Sequence, residues 1–248
     1  MESINMNEKI TKQEHWEKYW KNHEPPVIKK LFFDEYIDLL PKSGRLIEIG
    51  GFPGNNVGFL RKKFGLDVAI LDYVILPEIV TKVEKMYNLE QKSITVIEKD
   101  FFQFKSDIKY DVVTSFGFIE HFNDTEGVIK NHIDLLKPGG VFFATIPNFR
   151  GINGQVQRIF HPENYALHNI NSMDINLIKD ILGKMSLENI LVTYVDRPSI
   201  WLEKDIPIGN IIKKILYYFS KILRLCPFKK NVLLGPHIIM YGVKTIKR

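Results

Sequence analysis

The stretch RLIEIGGFPGNNVGFL, residues 45–60, decides the fold. An apolar run carries one acid, Glu48, near its end; Gly50, Gly51 and Gly54 follow, and a helix-compatible segment begins near Asn55. A chain turning from a strand tip into a helix must reverse tightly, and glycine permits the positive φ this needs at least cost. Glycine also lets a ligand approach the main chain where a Cβ would collide. The helix start offers free N–H groups at the same place.

Working outward from this turn, strands and helices alternate. RLIEIG precedes NNVGFLRKKFG, DVAILDY precedes a helix opened by Pro77, and ITVIEKD follows. Then come YDVVTSF, a helix capped by Asn123 or Asp124, and the strand GVFFATI. This alternation predicts an α/β fold, a doubly wound and mostly parallel sheet with helices on both faces. Ligands of such sheets bind outside the carboxyl ends of the strands. Upstream, TKQE at Thr11–Glu14 has the form of a capping box, opening a helix that reaches His23 and stops at Pro25-Pro26. VIKKLFFDEYIDLL predicts a second helix, ended by Pro41. Downstream, Pro147 to Asn171 reads as a long polar loop. A helix over about 172–184, the strand LENILVTYV, the helical stretch IGNIIKKILYYFSKILRLC and the strand HIIMYGVKTI complete the chain.

The neighbours of the glycine turn narrow its ligand. A dinucleotide fingerprint, G-x-G-x-x-G, fails because Phe52 and Asn55 stand at its other glycine positions. A P-loop fails because no Gly-Lys-Ser/Thr follows. Glu48 decides the matter: a carboxylate in the site would repel a phosphate yet help to hold a cation, directly or through water. A ligand with an adenosine, an ammonium and a sulfonium fits, and S-adenosylmethionine is that ligand.

Glu48-Ile49-Gly50-Gly51-Phe52-Pro53-Gly54 resembles the E-x-G-x-G-x-G motif of class I S-adenosylmethionine-dependent methyltransferases, departing from it at Phe52. The resemblance covers roughly Leu31 to Asn148. It implies a seven-stranded Rossmann-like sheet with an antiparallel last strand, HIIMYGVK. It also implies that Glu48, Gly50, Gly51, Phe52, Gly54 and Asn55 hold the cofactor. Asp72, with Tyr73, would anchor the ribose; Asp100 would bond the adenine amino group, with Phe101 beside the ring. Ser115, Phe116 and Gly117 would line the transfer site, and Pro138-Gly139-Gly140 would be a structural turn. Bland alternatives stand beside these roles: a strand-end acid, a turn cap, a core aromatic, a helix-capping asparagine.

Methyl transfer is an in-line displacement with a neutral thioether leaving group. The enzyme supplies alignment and, where the nucleophile starts protonated, a base. Glu120-His121 lies just beyond Gly117, and an imidazole suits proton removal near neutrality. A Glu-His pair recurs here in the ubiquinone-pathway O-methyltransferases, which this branch resembles; the alternative is a histidine packed beneath the next helix. His161, Tyr165 and His168 follow the fifth strand, where this fold builds its acceptor pocket, and are candidate substrate contacts or else exposed loop residues. Their spacing matches no zinc pattern and Cys226 is isolated, so no metal is assigned. Trp16, Tyr19 and Trp20 recur at helical spacing, as packing or as part of a lid over the cofactor.

With 248 residues, 45% hydrophobic and 25% charged, the chain has the composition of one globular domain. Its parts are a helical lid (1–43), a cofactor-binding core (44–148), an acceptor loop (149–171) and a basic amphipathic insertion (206–235). One cysteine and a polar N-terminus without an apolar signal core suit a cytoplasmic protein. The net charge of +5 is uneven: nine cations and no acid follow Asp205, leaving −4 for what precedes. An acidic body disfavours RNA as a partner, and no Asn/Asp-Pro-Pro-Tyr follows the fourth strand as a DNA-base methyltransferase would require. Over 209–230, Lys213, Lys214, Tyr217, Ser220, Lys221 and Arg224 are assigned to one helical face and Ile212, Ile215, Leu216, Phe219, Ile222 and Leu223 to the other. Such a helix meets an anionic membrane surface peripherally, or packs against its own sheet or a second subunit of a homodimer. The function expected is O-methylation of a small-molecule or lipid- or sugar-linked acceptor. The alternatives are a non-catalytic nucleotide-binding or regulatory protein of the same fold and an NAD-dependent oxidoreductase, the latter disfavoured by the missing glycines.

Overall fold

The computed structural model describes residues 10–11, 13–22, 24–201, 209–225 and 230–246. Lys12 of the capping box, His23, Cys226, Lys229, Lys247 and Arg248 lie outside the described residues. Seven strands form one sheet: β1 (Arg45–Ile49), β2 (Asp67–Asp72), β3 (Ile94–Glu98), β4 (Tyr110–Phe116), β5 (Leu136–Pro147), β6 (Leu187–Val195) and β7 (His237–Lys244). Their order is β3-β2-β1-β4-β5-β7-β6. β1 to β5 pair in parallel, and β7 lies antiparallel between β5 and β6. This is the seven-stranded Rossmann-like sheet with an antiparallel last strand expected from the sequence.

The central strands are apolar along their length because both faces of the sheet are covered. Alternate residues part to opposite sides. Leu46, Val112 and Phe143 pack with α2 (Asn55–Phe64) and α3 (Pro77–Met86). Ile47, Val113 and Phe142 pack with α4 (Thr125–Asp134) and α7 (Ile175–Gly183). Asp124, not Asn123, caps α4 by accepting the Gly127 N–H at 2.8 Å. Between β1 and β4 the chain reverses its winding, leaving a crevice at their carboxyl ends.

Four local expectations are corrected. Residues 27–40 are not one helix; only Asp34–Leu39 forms a 3-10 helix. Upstream of it, the Ile28 N–H is taken by the Tyr87 hydroxyl at 2.9 Å, and Phe33, fully buried, stacks on Phe116. The Pro138-Gly139-Gly140 turn is absorbed into β5, where the pairing with β4 shifts register between Tyr110 and Val112. The supposed loop at 149–171 holds α5 (Ile152–Phe160) and α6 (Pro162–Ala166). Two of its polar residues face inward: Gln157 Nε2 donates to the Trp201 carbonyl and Asn153 Oδ1 accepts the Trp201 N–H, so at those positions polarity marks hydrogen bonding, not solvent. Fourth, in α8 (Asn210–Leu223) Ser220 belongs to the buried face, together with Leu223, and its Oγ accepts the Ile200 N–H at 3.0 Å. The apolar residues Ile211, Ile215, Tyr218 and Phe219 are exposed instead.

One buried acid holds the α3–β3 connection. Glu84 Oε2 accepts the Lys92 N–H and Oε1 the Ile94 N–H, both at 3.0 Å. Removing it strands two backbone donors. Glu84→Ala is expected to lower unfolding stability by about 2–3 kcal/mol, and Glu84→Gln by roughly half as much since one acceptor remains. Urea melts of the three proteins check this, and superimposable curves would refute it.

Candidate active site

A cavity of about 530 Å³ opens in the crevice between β1 and β4, a volume suited to a cofactor with its partner. Its floor is the turn after β1: Glu48, Gly50, Gly51, Phe52 and Asn55 all line it. Gly50 has φ +66, and a Cβ there would fall 2.3 Å from the Phe118 ring, so only glycine fits. Phe52 does not close the corner; it is buried on the α2 side, with the Trp20 ring edge-on at 5.3 Å. Gly54 lies off the cavity, leading into α2 at φ +97 with Ile94 and Ile70 as its neighbours.

Glu48 is 2% exposed. Asn56, from the first turn of α2, donates to its Oε1 at 2.8 Å, while Oε2 is buried without a hydrogen-bond partner. Burial raises its pKa to about 8, against the opposing pull of the Asn56 and Val57 donors. At neutral pH the group is therefore mostly a carboxylic acid, where the sequence alone suggested a carboxylate. Asp72, at the tip of β2, has a dual position. Its Oδ1 accepts the N–H groups of Tyr73 and Val74, its Oδ2 accepts the Phe52 N–H at 3.2 Å, and it lines the cavity with Tyr73.

Phe116 and Gly117 from the tip of β4 line the opposite wall, with Phe118 and Phe122. Ser115 does not: it is fully buried on β4 and outside the lining. Phe101 contributes to a smaller recess that shares Asp72, Tyr73, Phe118 and Phe122 with the main cavity. Asp100 lines neither space, and its Oδ1 accepts the Phe102 N–H in a local turn.

The roof is α1 (Gln13–Asn22), so the aromatic repeat does serve the site. Trp16, Tyr19 and Trp20 all line the cavity. Gln13 Nε2 reaches the Tyr73 carbonyl, and the Ile10 N–H is bonded to the His121 carbonyl. Thr11 joins the lining, and its hydroxyl lies 3.0 Å from His121 Nδ1.

His121 lines the cavity; Glu120 sits behind it. The Leu167 carbonyl lies 2.9 Å from His121 Nδ1. A carbonyl only accepts, which assigns the proton to Nδ1 and leaves the lone pair on Nε2. Burial, with His168 beside it, lowers the His121 pKa to about 3, and burial lowers that of His168 to about 4. Burial raises Glu120 to about 8, and its Oε2 has no partner. One donor atom from each of Glu120, His121 and His168 falls within 4.8 Å of the others. Two imidazoles and a carboxyl gathered this closely are a donor set that could serve a metal ion, a grouping that the spacing along the sequence did not suggest.

Of the residues expected to meet an acceptor, none lines the cavity. His168 stands behind His121, ring centroids 4.9 Å apart, Tyr165 stacks on Phe149, and His161 lies at the junction of α5 and α6. The contributions missed from the sequence include Thr11, Glu24, Ile28, Asn56, Phe118 and Phe122. Asn56 and Phe118 adjoin motif residues, and that adjacency was the available signal. Thr11 is placed only by tertiary structure.

Solved structures agree with this geometry at the level of fold. The chain is similar to phosphoethanolamine N-methyltransferase 2 of Haemonchus contortus, bound to phosphomonomethylethanolamine and S-adenosylhomocysteine (17% identity, TM-score 0.57, 87% of this chain and 52% of that one). It spans about half the length of that nematode enzyme. It is similar also to a SAM-dependent methyltransferase of Archaeoglobus fulgidus (16%, 0.54, 85% and 90%). A methyltransferase of Haloferax volcanii, in complex with the Trm112 activator, is a third (15%, 0.58, 87% and 89%). The model of a family described as a methyltransferase domain matches residues 19–191, more than half of the chain, from α1 into β6, and the chain belongs to that family.

Proposed function

We propose that the chain binds S-adenosylmethionine in this cavity and transfers its methyl group to an oxygen of a small-molecule or lipid-linked acceptor. The observation that carries this reading is Glu48: a buried acid with one unpartnered oxygen, in the lining of a glycine-walled cavity, where an incoming cation would draw the group into its charged form and be retained by it. The amino-acid ammonium of the cofactor would sit against Glu48 and Asn56, the ribose against Asp72, and the adenine toward the recess of Phe101 and Phe118. The sulfonium methyl would then point toward Gly117 and His121. The acceptor would enter between Trp16, Phe122 and His121, an aromatic slot suited to an apolar body carrying one hydroxyl.

In this reading His121 Nε2 takes the hydroxyl proton as the oxygen attacks. S-adenosylmethionine, when bound, would supply the methyl group, its carbon–sulfur bond exchanged for the new carbon–oxygen bond and its remainder the neutral thioether leaving group. An imidazole kept neutral has its lone pair available at every pH above about 3. The finer likeness to ubiquinone-pathway O-methyltransferases rests on Glu120-His121 alone.

Two measurements test the site. At pH 7 Glu48 starts mostly protonated, since 7 lies below about 8. A bound ammonium favours the carboxylate, so S-adenosylmethionine should expel up to about one proton. Calorimetry in buffers of different ionisation enthalpy should detect that proton for the wild type and lose it in Glu48→Gln, whose affinity falls about tenfold or more. Wild-type affinity relative to Glu48→Gln should climb from pH 6 to 8 and then level off. Equal affinity and equal proton release in both proteins would exclude the assigned role.

For the transfer step, incubation with methyl-labelled cofactor and an extracted metabolite pool should give a labelled product, identifiable by mass spectrometry. His121→Ala should reduce its formation by roughly 10²–10⁴-fold with cofactor affinity unchanged. Undiminished labelling would remove His121 as the base.

A further inference from the structure

The exposed face of α8 has no counterpart in the methyl-transfer site, and its chemistry points to a lipid surface. We infer that α8 docks the protein on an anionic bilayer, lying in the plane of the headgroups. The inward side of the helix is narrow: Leu216 is half-buried, Ser220 and Leu223 are buried, and the Ser220–Ile200 bond pins it to the body. Outward, Ile211 is 75% exposed, Ile215 61% and Leu225, just past the helix end, 83%, with Tyr218 and Phe219 exposed between them. At 3.6 residues per turn these five fall within an arc of about 120°. Lys214 and Lys221 border that arc, Lys221 lying over the Tyr217 ring at 4.6 Å. The apolar surface continues beyond the helix through Leu233, itself exposed, which lines a small cavity together with Leu223.

Two alternatives are set aside by charge and length. Self-association through this face would bring Lys214 and Lys221 against the same cations of a second copy, with no acid anywhere after Asp205 to pair with them. Spanning is ruled out for a helix of 14 residues, about 21 Å long, and no described helix is long and apolar enough to cross a membrane. An apolar stripe bordered by lysines and free of acids matches a surface of acyl chains beneath anionic headgroups. Placement adds to this. Ile200 follows β6, whose Val195 pairs with His237, and His237 pairs with Pro147 at the carboxyl end of β5. That is the same end of the sheet as the crevice between β1 and β4, three strands away from it. A lipid-borne acceptor would follow if the proposed function holds; the docking itself does not depend on it.

Flotation with vesicles tests the docking directly on the full chain. Vesicles of phosphatidylcholine with about one-quarter phosphatidylglycerol should carry the wild type upward, and pure phosphatidylcholine far less. The triple variant Ile211→Ser, Ile215→Ser, Phe219→Ser removes only exposed apolar groups and should keep the far-ultraviolet circular dichroism and melting midpoint of the wild type. Its partition into anionic vesicles should fall at least about tenfold, and Lys214→Glu with Lys221→Glu should do the same at low salt. A wild type that stays in solution with anionic vesicles overturns the inference, as does a triple variant that floats equally well. A wild type that sediments as a dimer without floating, and a triple variant that sediments as a monomer, would assign the face to a second copy. Labelling of an acceptor by the soluble triple variant would leave the methyltransferase reading standing whatever the flotation result.

Discussion

A carboxyl group buried at the tip of β1 is the constraint around which the cavity is arranged. A buried acid without compensation is costly, and Glu48 receives one side-chain donor, from Asn56 on the next helix. Its other oxygen is buried without a hydrogen-bond partner, in a residue that lines the cavity. The glycines serve the same point. They bring the backbone of the turn close to Phe118 and Glu48 without a Cβ, which places the start of α2, and with it Asn56, against the acid. The doubly wound sheet then makes the corner concave, because the chain departs in opposite directions from β1 and β4.

The roof and the candidate base are one mechanical unit. The Ile10 N–H and the Thr11 hydroxyl both engage His121, and the Trp16 ring lies edge-on to it at 5.3 Å. Displacing α1 would therefore wet the imidazole and remove a contact from Nδ1. Closure does the reverse: it dries the site and fixes the ring with Nε2 as the free nitrogen. Behind the ring, Glu120 and His168 are held neutral by burial, so the cluster supplies shape and hydrogen-bonding capacity without a fixed charge. A neutral surrounding suits a site whose ligand brings its own positive charge.

The acid-free run after Asp205 gives the molecule two electrical halves, an acidic body and a basic extension. The extension is attached at the carboxyl end of the sheet beside β6 and turns its apolar side outward. A helix packed for stability alone would turn that side inward; α8 buries Ser220 and leaves Ile211 and Ile215 in solvent. The orientation is set by one hydrogen bond, from Ile200 N–H to Ser220 Oγ, and by Leu223.

The sequence by itself determined the strands, the helices at Asn55–Phe64, Pro77–Met86, Thr125–Asp134 and Ile175–Gly183 but not the two between Ile152 and Ala166, the glycine turn, and the positions of Glu48, Asp72, Gly117 and His121 around one cavity. These were legible because they depend on local physics: apolar runs, glycine at positive φ, proline at a helix start, and acids at strand tips. Gly54, Ser115 and Asp100 stand in the same motifs yet lie outside the lining, since a motif records neighbourhood along the chain and not which way a side chain turns. Only the tertiary structure decided that Asn153 and Gln157 are buried in a helix, that His168 backs His121, and that Thr11 meets a residue 110 positions away. It also decided the protonation of Glu48. Burial and long-range partners fix these properties, and both arise when distant segments pack, so no local pattern of residues carries them.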